Sequence, residues 1–282
     1  MGLKKITNRI IWGAVVYPAA LEFLGEYLQS VDDQDDDDFE LFILNDGVKK
    51  EELDKLLKDR RIRHTVEEAD PKANPIINRI RLIKDAKNMG AGVLIIGDSD
   101  DTFSLNRVRL TRDAYATNPD ASFFYNDLLL MDGSRATPPT PSEIFSVKEI
   151  SQFNFLGMSN TAINLTRLED EFIDSLSECD SRIFDWYLHS RLLMNVGKGI
   201  KLEGAYTYYR IYGDNIAGVR EFNEENLSYE VSVKKKHYEM LGKYDILFRD
   251  LLDKIGKIDI KEVHENTGSE GHYWWDLIKL EE

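Results

Sequence analysis

The stretch Val93-Leu94-Ile95-Ile96-Gly97-Asp98-Ser99-Asp100-Asp101 limits the fold more than any other. Four apolar residues, three of them β-branched, run without a polar break into three carboxylates within four positions. A short, wholly apolar run of this kind predicts a strand buried on both faces, which is the condition of a strand inside a parallel sheet. Such a strand ends at the rim where open α/β sheets bind ligands. Carboxylates crowded there repel one another unless a cation sits among them, and hard oxygen donors suit Mn²⁺ or Mg²⁺ shared with phosphate oxygens. Asp98 and Asp100 are therefore the candidate metal ligands.

The rest of the chain alternates between the two periodicities that build such a sheet. Strands are predicted over 10–17, 39–44, 62–66, 121–131, 162–165 and 200–209, and helices over 19–30, 49–58, 76–88, 105–117 and 183–196. Residues 223–253 carry helical spacing broken near Gly242, and 262–282 is expected to be a docking helix containing Trp274 and Trp275. This order predicts an α/β, Rossmann-like domain with a mostly parallel sheet between helices. Residues 1–218 would form that domain, with a first half over about 1–101 and a second over 102–218. Residues 219–282 would form a C-terminal helical extension.

Composition narrows the partners. A net charge of −15 disfavours nucleic acid and anionic membranes across most of the surface. No apolar run reaches the roughly 18 residues of a membrane span. The single cysteine, Cys179, permits no internal disulfide and fits a reducing compartment, so a cytoplasmic protein is expected. The acidic run Asp32-Asp33-Gln34-Asp35-Asp36-Asp37-Asp38 lacks the glycine and ligand spacing of an ion-binding loop and is expected to be a solvated connection.

Four blocks in order resemble a family 2 glycosyltransferase of the GT-A fold over roughly residues 8–218. The first runs from Trp12 to Pro18, through Leu24 to Gln34, into Phe42-Ile43-Leu44-Asn45-Asp46-Gly47. The second is Arg79 followed by Asp98-Ser99-Asp100-Asp101. The third is Phe184-Asp185-Trp186-Tyr187-Leu188-His189-Ser190-Arg191-Leu192, with Gly197 beyond. The fourth is Tyr209-Arg210-Ile211-Tyr212-Gly213-Asp214-Asn215.

The resemblance implies an inverting transferase that takes a nucleoside-diphosphate sugar, with a UDP-sugar expected, and a carbohydrate or glycoconjugate acceptor. It implies a nucleotide-sugar site of Tyr17, Pro18, Asp46, Arg79 and Asp98, a metal on Asp98 and Asp100, and Asp185 as the catalytic base. Asp101 would support the metal loop or cap a helix. Arg210, Tyr212 and Trp186 would contact the diphosphate or the acceptor, and residues 157–160 would border the acceptor pocket. Two positions depart from the family: Phe184 replaces a Glu and Tyr212 a His. They leave open a non-catalytic, nucleotide-binding or partner-binding descendant. A nucleotidyltransferase is a further alternative, although Tyr17-Pro18-Ala19-Ala20 offers no glycine-rich phosphate loop. The C-terminal extension could also pair two copies of the chain.

Overall fold

The structure is a computed structural model that describes residues 7–212, 223–261, 263 and 275–280. Gly213, Asp214, Asn215 and Trp274, singled out above, lie outside the described residues.

Strands β1 (Ile10–Val16), β2 (Phe39–Asn45), β3 (His64–Glu68) and β4 (Val93–Ile96) are parallel, in the order β3-β2-β1-β4. Their connections are α1 (Leu24–Asp32), α2 (Lys50–Leu57) and α3 (Pro75–Asn88). The sheet continues through β8 (Thr161–Asn164), β6 (Phe123–Leu130) and β9 (Gly199–Tyr209), with the short strands β5 (Thr102–Phe103) and β7 (Glu143–Ile144) beside β9. β8 is antiparallel to β4 and β6, while β9 runs parallel to β6. The sheet is thus mixed but mostly of one direction, as the alternation predicts.

Strand periodicity divides the interior in two. Ile10, Trp12, Ala14 and Val16 point to one face, where Leu24, Tyr27, Leu28 and Val31 of α1 and Val108 and Tyr115 of α4 (Arg107–Thr117) cover them. Ile11, Phe42, Leu44, Leu94 and Ile96 point to the other. There they meet α3, α6 (Phe184–Asn195), α7 (Glu224–Leu241) and α8 (Ile246–Ile255). α7 and α8 therefore share a core with the sheet.

Three elements differ from the sequence expectation. The helix expected over 19–30 begins late: Pro18–Ala20 form a 3₁₀ turn, and α1 starts only at Leu24. Proline presets φ for the first turn at Pro18, which closes as a separate 3₁₀ turn before α1. The acidic run is not simply solvated. Asp35 and Asp36 pair with Arg109 and Arg112 of α4 at 2.9 and 2.7 Å. The expected C-terminal docking helix is absent over 275–280, which packs without helical structure, with Leu277, Ile278 and Leu280 buried. No described helix is long and apolar enough to cross a membrane.

Candidate functional site

After β1 the chain moves to β2 and β3 on one side. It then returns to place β4 on the other side of β1. The carboxyl ends of β1 and β4 are therefore a topological switch point, where the connecting loops diverge and leave a crevice. Tyr17 and Ala19 follow β1 and Asp98 follows β4. Because β8 is antiparallel, the loop that enters it, 157–160, reaches the same rim. Together these residues line a cleft of about 450 Å³ with Arg79, Arg182, Ile183, Phe184, Asp185, Tyr212 and Trp275.

The acidic loop is held rigidly. Gly97 must be glycine, since a Cβ there would lie 2.6 Å from Trp12 Nε1 and 2.9 Å from Phe103. Buried Ser99 donates from Oγ to the Val15 carbonyl at 3.0 Å, tying the loop to β1. The Asp98 N–H donates to Ser159 Oγ at 3.2 Å. With backbone and serine fixed, the Asp98 and Asp100 carboxylates turn into the cleft.

Arg79, on α3, donates from Nη2 to Asp98 Oδ1 at 3.4 Å. Asp100 Oδ2 accepts from Tyr212 Oη at 2.6 Å and from Tyr17 Oη at 3.2 Å. Burial and the Asp100 charge push both phenols up, Tyr212 to about 12, so both remain donors at neutral pH. Burial also raises the Asp98 carboxyl, with Arg79 opposing and Asp100 adding to the shift. Tyr17 thus reaches the acids with its hydroxyl.

Among the described residues no group of three His, Cys, Asp or Glu side chains is placed to hold a metal ion. A divalent cation shared with a diphosphate needs fewer, because Mg²⁺-type sites use one or two carboxylates plus substrate oxygens. Asp98 Oδ2 and Asp100 Oδ1 accept no hydrogen bond among the described residues, and both carboxylates line the cleft. This donor set fits Mn²⁺ or Mg²⁺.

Asp185 lies in the first turn of α6, with Oδ1 accepting the Trp186 N–H at 2.8 Å. Burial raises its carboxyl to about 6, against Trp186 N–H donation and Arg79. A helix N-terminus favours the charged form, but desolvation outweighs it here. His189 does not reach the carboxylate. Its Nδ1 faces the Asp185 backbone carbonyl at 2.7 Å, its ring is edge-on to Phe123, and burial lowers it to about 4, so it is neutral.

Several expected contacts fall elsewhere. Trp186 is fully buried and donates from Nε1 to the Ile150 carbonyl at 2.6 Å; it is not in the cleft wall, because its face of α6 packs inward. Arg210 is also turned away from the cleft, with Nη2 on Glu26 at 2.6 Å and its guanidinium 4.5 Å from the Phe23 ring centre. Its N–H caps buried Asp101 at 3.0 Å, so Asp101 anchors the chain leaving β9 and caps no helix. Pro18 and Asp46 follow β1 and β2 but are not among the residues that line the cleft; Gly47 faces the Pro18 ring, and Asp46 accepts from Asn78 Nδ2 at 3.0 Å. Asn45 is buried and holds the turn, bonding Val48 and Glu68.

One functional feature escaped sequence reading. Arg107 is fully buried beneath the acidic loop and donates to the Ile96 and Thr161 carbonyls and to Thr207. Burial lowers it to about 9, with Asp101 opposing, so it stays charged at pH 7 and offsets the acids above it. Arg107 is one of three arginines in α4, with Arg109 and Arg112, and nothing local in the sequence distinguishes the buried one.

No protein-family model and no curated protein matches the chain. Among solved structures, S. aureus TarS 1–349 in complex with UDP-GlcNAc is similar at a TM-score of 0.61 and 14% identity, covering 88% of this chain and 71% of TarS 1–349. The mannosyltransferase PcManGT from Pyrobaculum calidifontis, in complex with GDP-Man and Mn²⁺, matches at 0.58 and 11%, covering 84% of this chain and 65% of its own. The fold is therefore the GT-A-type architecture expected from the sequence blocks. At this identity the likeness extends to the fold alone.

Proposed function

We propose that the protein is an inverting glycosyltransferase that moves a sugar from a nucleoside-diphosphate sugar, a UDP-sugar in the first instance, to a hydroxyl of a carbohydrate or glycoconjugate. The observation that carries this reading is one cleft. Asp98, Asp100 and Arg79 share it with Asp185, although the sequence places Asp185 far downstream. Neighbours of the same fold bind UDP-GlcNAc and GDP-Man, which supports a nucleotide-sugar donor.

In this reading Asp46 accepts a hydrogen bond from the base at the ends of β1 and β2, and Pro18 shapes that pocket. Arg79 aligns the diphosphate over Asp98. Asp98 and Asp100 would hold Mn²⁺ or Mg²⁺, which when bound supplies positive charge to the departing diphosphate. Tyr17 and Tyr212 orient the Asp100 carboxylate. Asp185 takes the proton from the acceptor hydroxyl as that oxygen attacks C1 from the face opposite the diphosphate. The C1–O bond breaks and its electron pair leaves with the phosphate. A carboxylate raised to about 6 is matched to this task, since a general base works best with a pKa near the operating pH.

The test is thermal denaturation and turnover with UDP-GlcNAc, UDP-glucose and GDP-mannose, with and without Mn²⁺. A ligand at 100 times its Kd stabilises the native state by about 2.7 kcal/mol. Asp100→Asn should remove the Mn²⁺-dependent part of the shift and abolish turnover. Undiminished turnover in that variant discards the metal role, and undiminished transfer by Asp185→Ala discards the base.

A further inference from the structure

Two residues after α6, Tyr209 and Trp275, line the cleft and have no part in the reaction above. Trp275 lies in the wall with Arg182, Ile183, Phe184 and Asp185. Among the described residues it is the only non-glycine with positive φ, at 56°. A bulky residue in that conformation is strained by about 1–3 kcal/mol and persists only where surrounding contacts impose it.

Those contacts are specific. Glu230 on α7 accepts the backbone N–H groups of Leu277 and Ile278 at 3.2 and 2.9 Å. Lys234, one turn on, pairs with Glu230 at 2.8 Å and donates to the Ile278 carbonyl. The two side chains are 3% and 0% exposed. A buried ion pair contributes little net stability, but it selects one register because any slip leaves charges unpaired. Leu280 N–H adds a bond to Gln152 at 2.7 Å. The Trp275 ring is backed by Tyr229, near-parallel at 6.1 Å between ring centres, and by Trp186 at 6.4 Å, which itself lies 4.4 Å from His237. Strain, latch and aromatic backing together hold a tryptophan that is 6% exposed in the wall it shares with Asp185.

We infer that Trp275 is the acceptor-side wall of the active site, against which the acceptor's sugar ring packs, and that the Glu230–Lys234 pair latches segment 275–280 in place for that purpose. The chemistry fits: the indole, 6% exposed and held by its neighbours, meets the cleft with a small, rigid apolar area that bounds the space beside Asp185, which receives the hydroxyl. Trp275 is a specificity-determining residue in this account, and Glu230 and Lys234 are positioning residues. The inference rests on the glycosyl-transfer reading and assigns its acceptor half.

The experiment separates the two. Wild type, Trp275→Phe, Trp275→Ala and the double variant Glu230→Gln/Lys234→Met are titrated by calorimetry with UDP-GlcNAc, UDP-glucose and GDP-mannose in Mn²⁺. They are then assayed for transfer to p-nitrophenyl glycosides of glucose, N-acetylglucosamine, galactose and mannose. The expected result is an unchanged donor Kd in all variants. Acceptor KM should rise tenfold or more in Trp275→Ala, less in Trp275→Phe, and severalfold in the double variant, which tests the latch with both charges removed together. An acceptor KM unchanged in Trp275→Ala overturns the inference. So does a loss of donor and acceptor affinity in equal measure, which marks a merely structural tryptophan, and so does a wild type that binds donor but no glycoside. A wild type that binds no nucleotide sugar fails at the donor reading instead.

Discussion

Replacing Asp185 by Asn should end transfer and, at neutral pH, stabilise the protein. Burial holds this carboxyl at about 6 against an ordinary 3.8, with Asp98 repulsion adding to the effect. The native state therefore keeps its proton where the unfolded chain has lost it. With the folded pKa above the unfolded one, the penalty is absent below about pH 4. It grows as pH rises through 6 and is complete above about pH 7. The full displacement corresponds to about 3 kcal/mol. Part of the side chain meets the open cleft, and screening there reduces the expected gain to roughly 1–2 kcal/mol. For a chain of this size that is a rise of about 2–4 °C in Tm. Asn keeps an oxygen to accept the Trp186 N–H, so packing at the start of α6 is preserved. The assay is thermal denaturation of both proteins from pH 4 to 8 without nucleotide or metal. The Tm difference should be near zero at pH 4 and open through pH 6. A difference independent of pH, or an Asn variant less stable at pH 8, refutes the assignment of a buried, proton-retaining base. In the wild type, kcat should rise with pH through about 6 as the carboxylate forms.

Two further outcomes follow from the acidic loop. Arg107→Met removes the buried cation whose guanidinium joins the carbonyls of Ile96 and Thr161, and should destabilise by about 3–5 kcal/mol, measured by urea denaturation. A variant within 1 kcal/mol of wild type by that measure would contradict the charge-offset role. Gly97→Ala drives a methyl into Trp12 and Phe103 and should shift Asp98, weakening Mn²⁺-dependent nucleotide binding by calorimetry more than metal-free binding. Equal weakening of both would point to general unfolding of the loop.

The sequence alone determined the sheet and the chemistry of its rim. The uninterrupted apolar run of β4 can only be a strand buried on both faces, and its abrupt end in Asp98, Ser99 and Asp100 places acids at a rim. Local periodicity and composition suffice for this, because each depends on residues close together in the chain. Tertiary structure alone decided which distant groups share the cleft. It turned Trp186 inward and brought Trp275 to the wall, since only packing determines which side of α6 faces the core. It buried Arg107 in a helix whose sequence is polar, and joined two tyrosines from opposite ends of the domain on one Asp100 oxygen. Such choices arise where segments far apart in the chain compete for the same buried space and the same hydrogen bonds, and no local pattern encodes that competition.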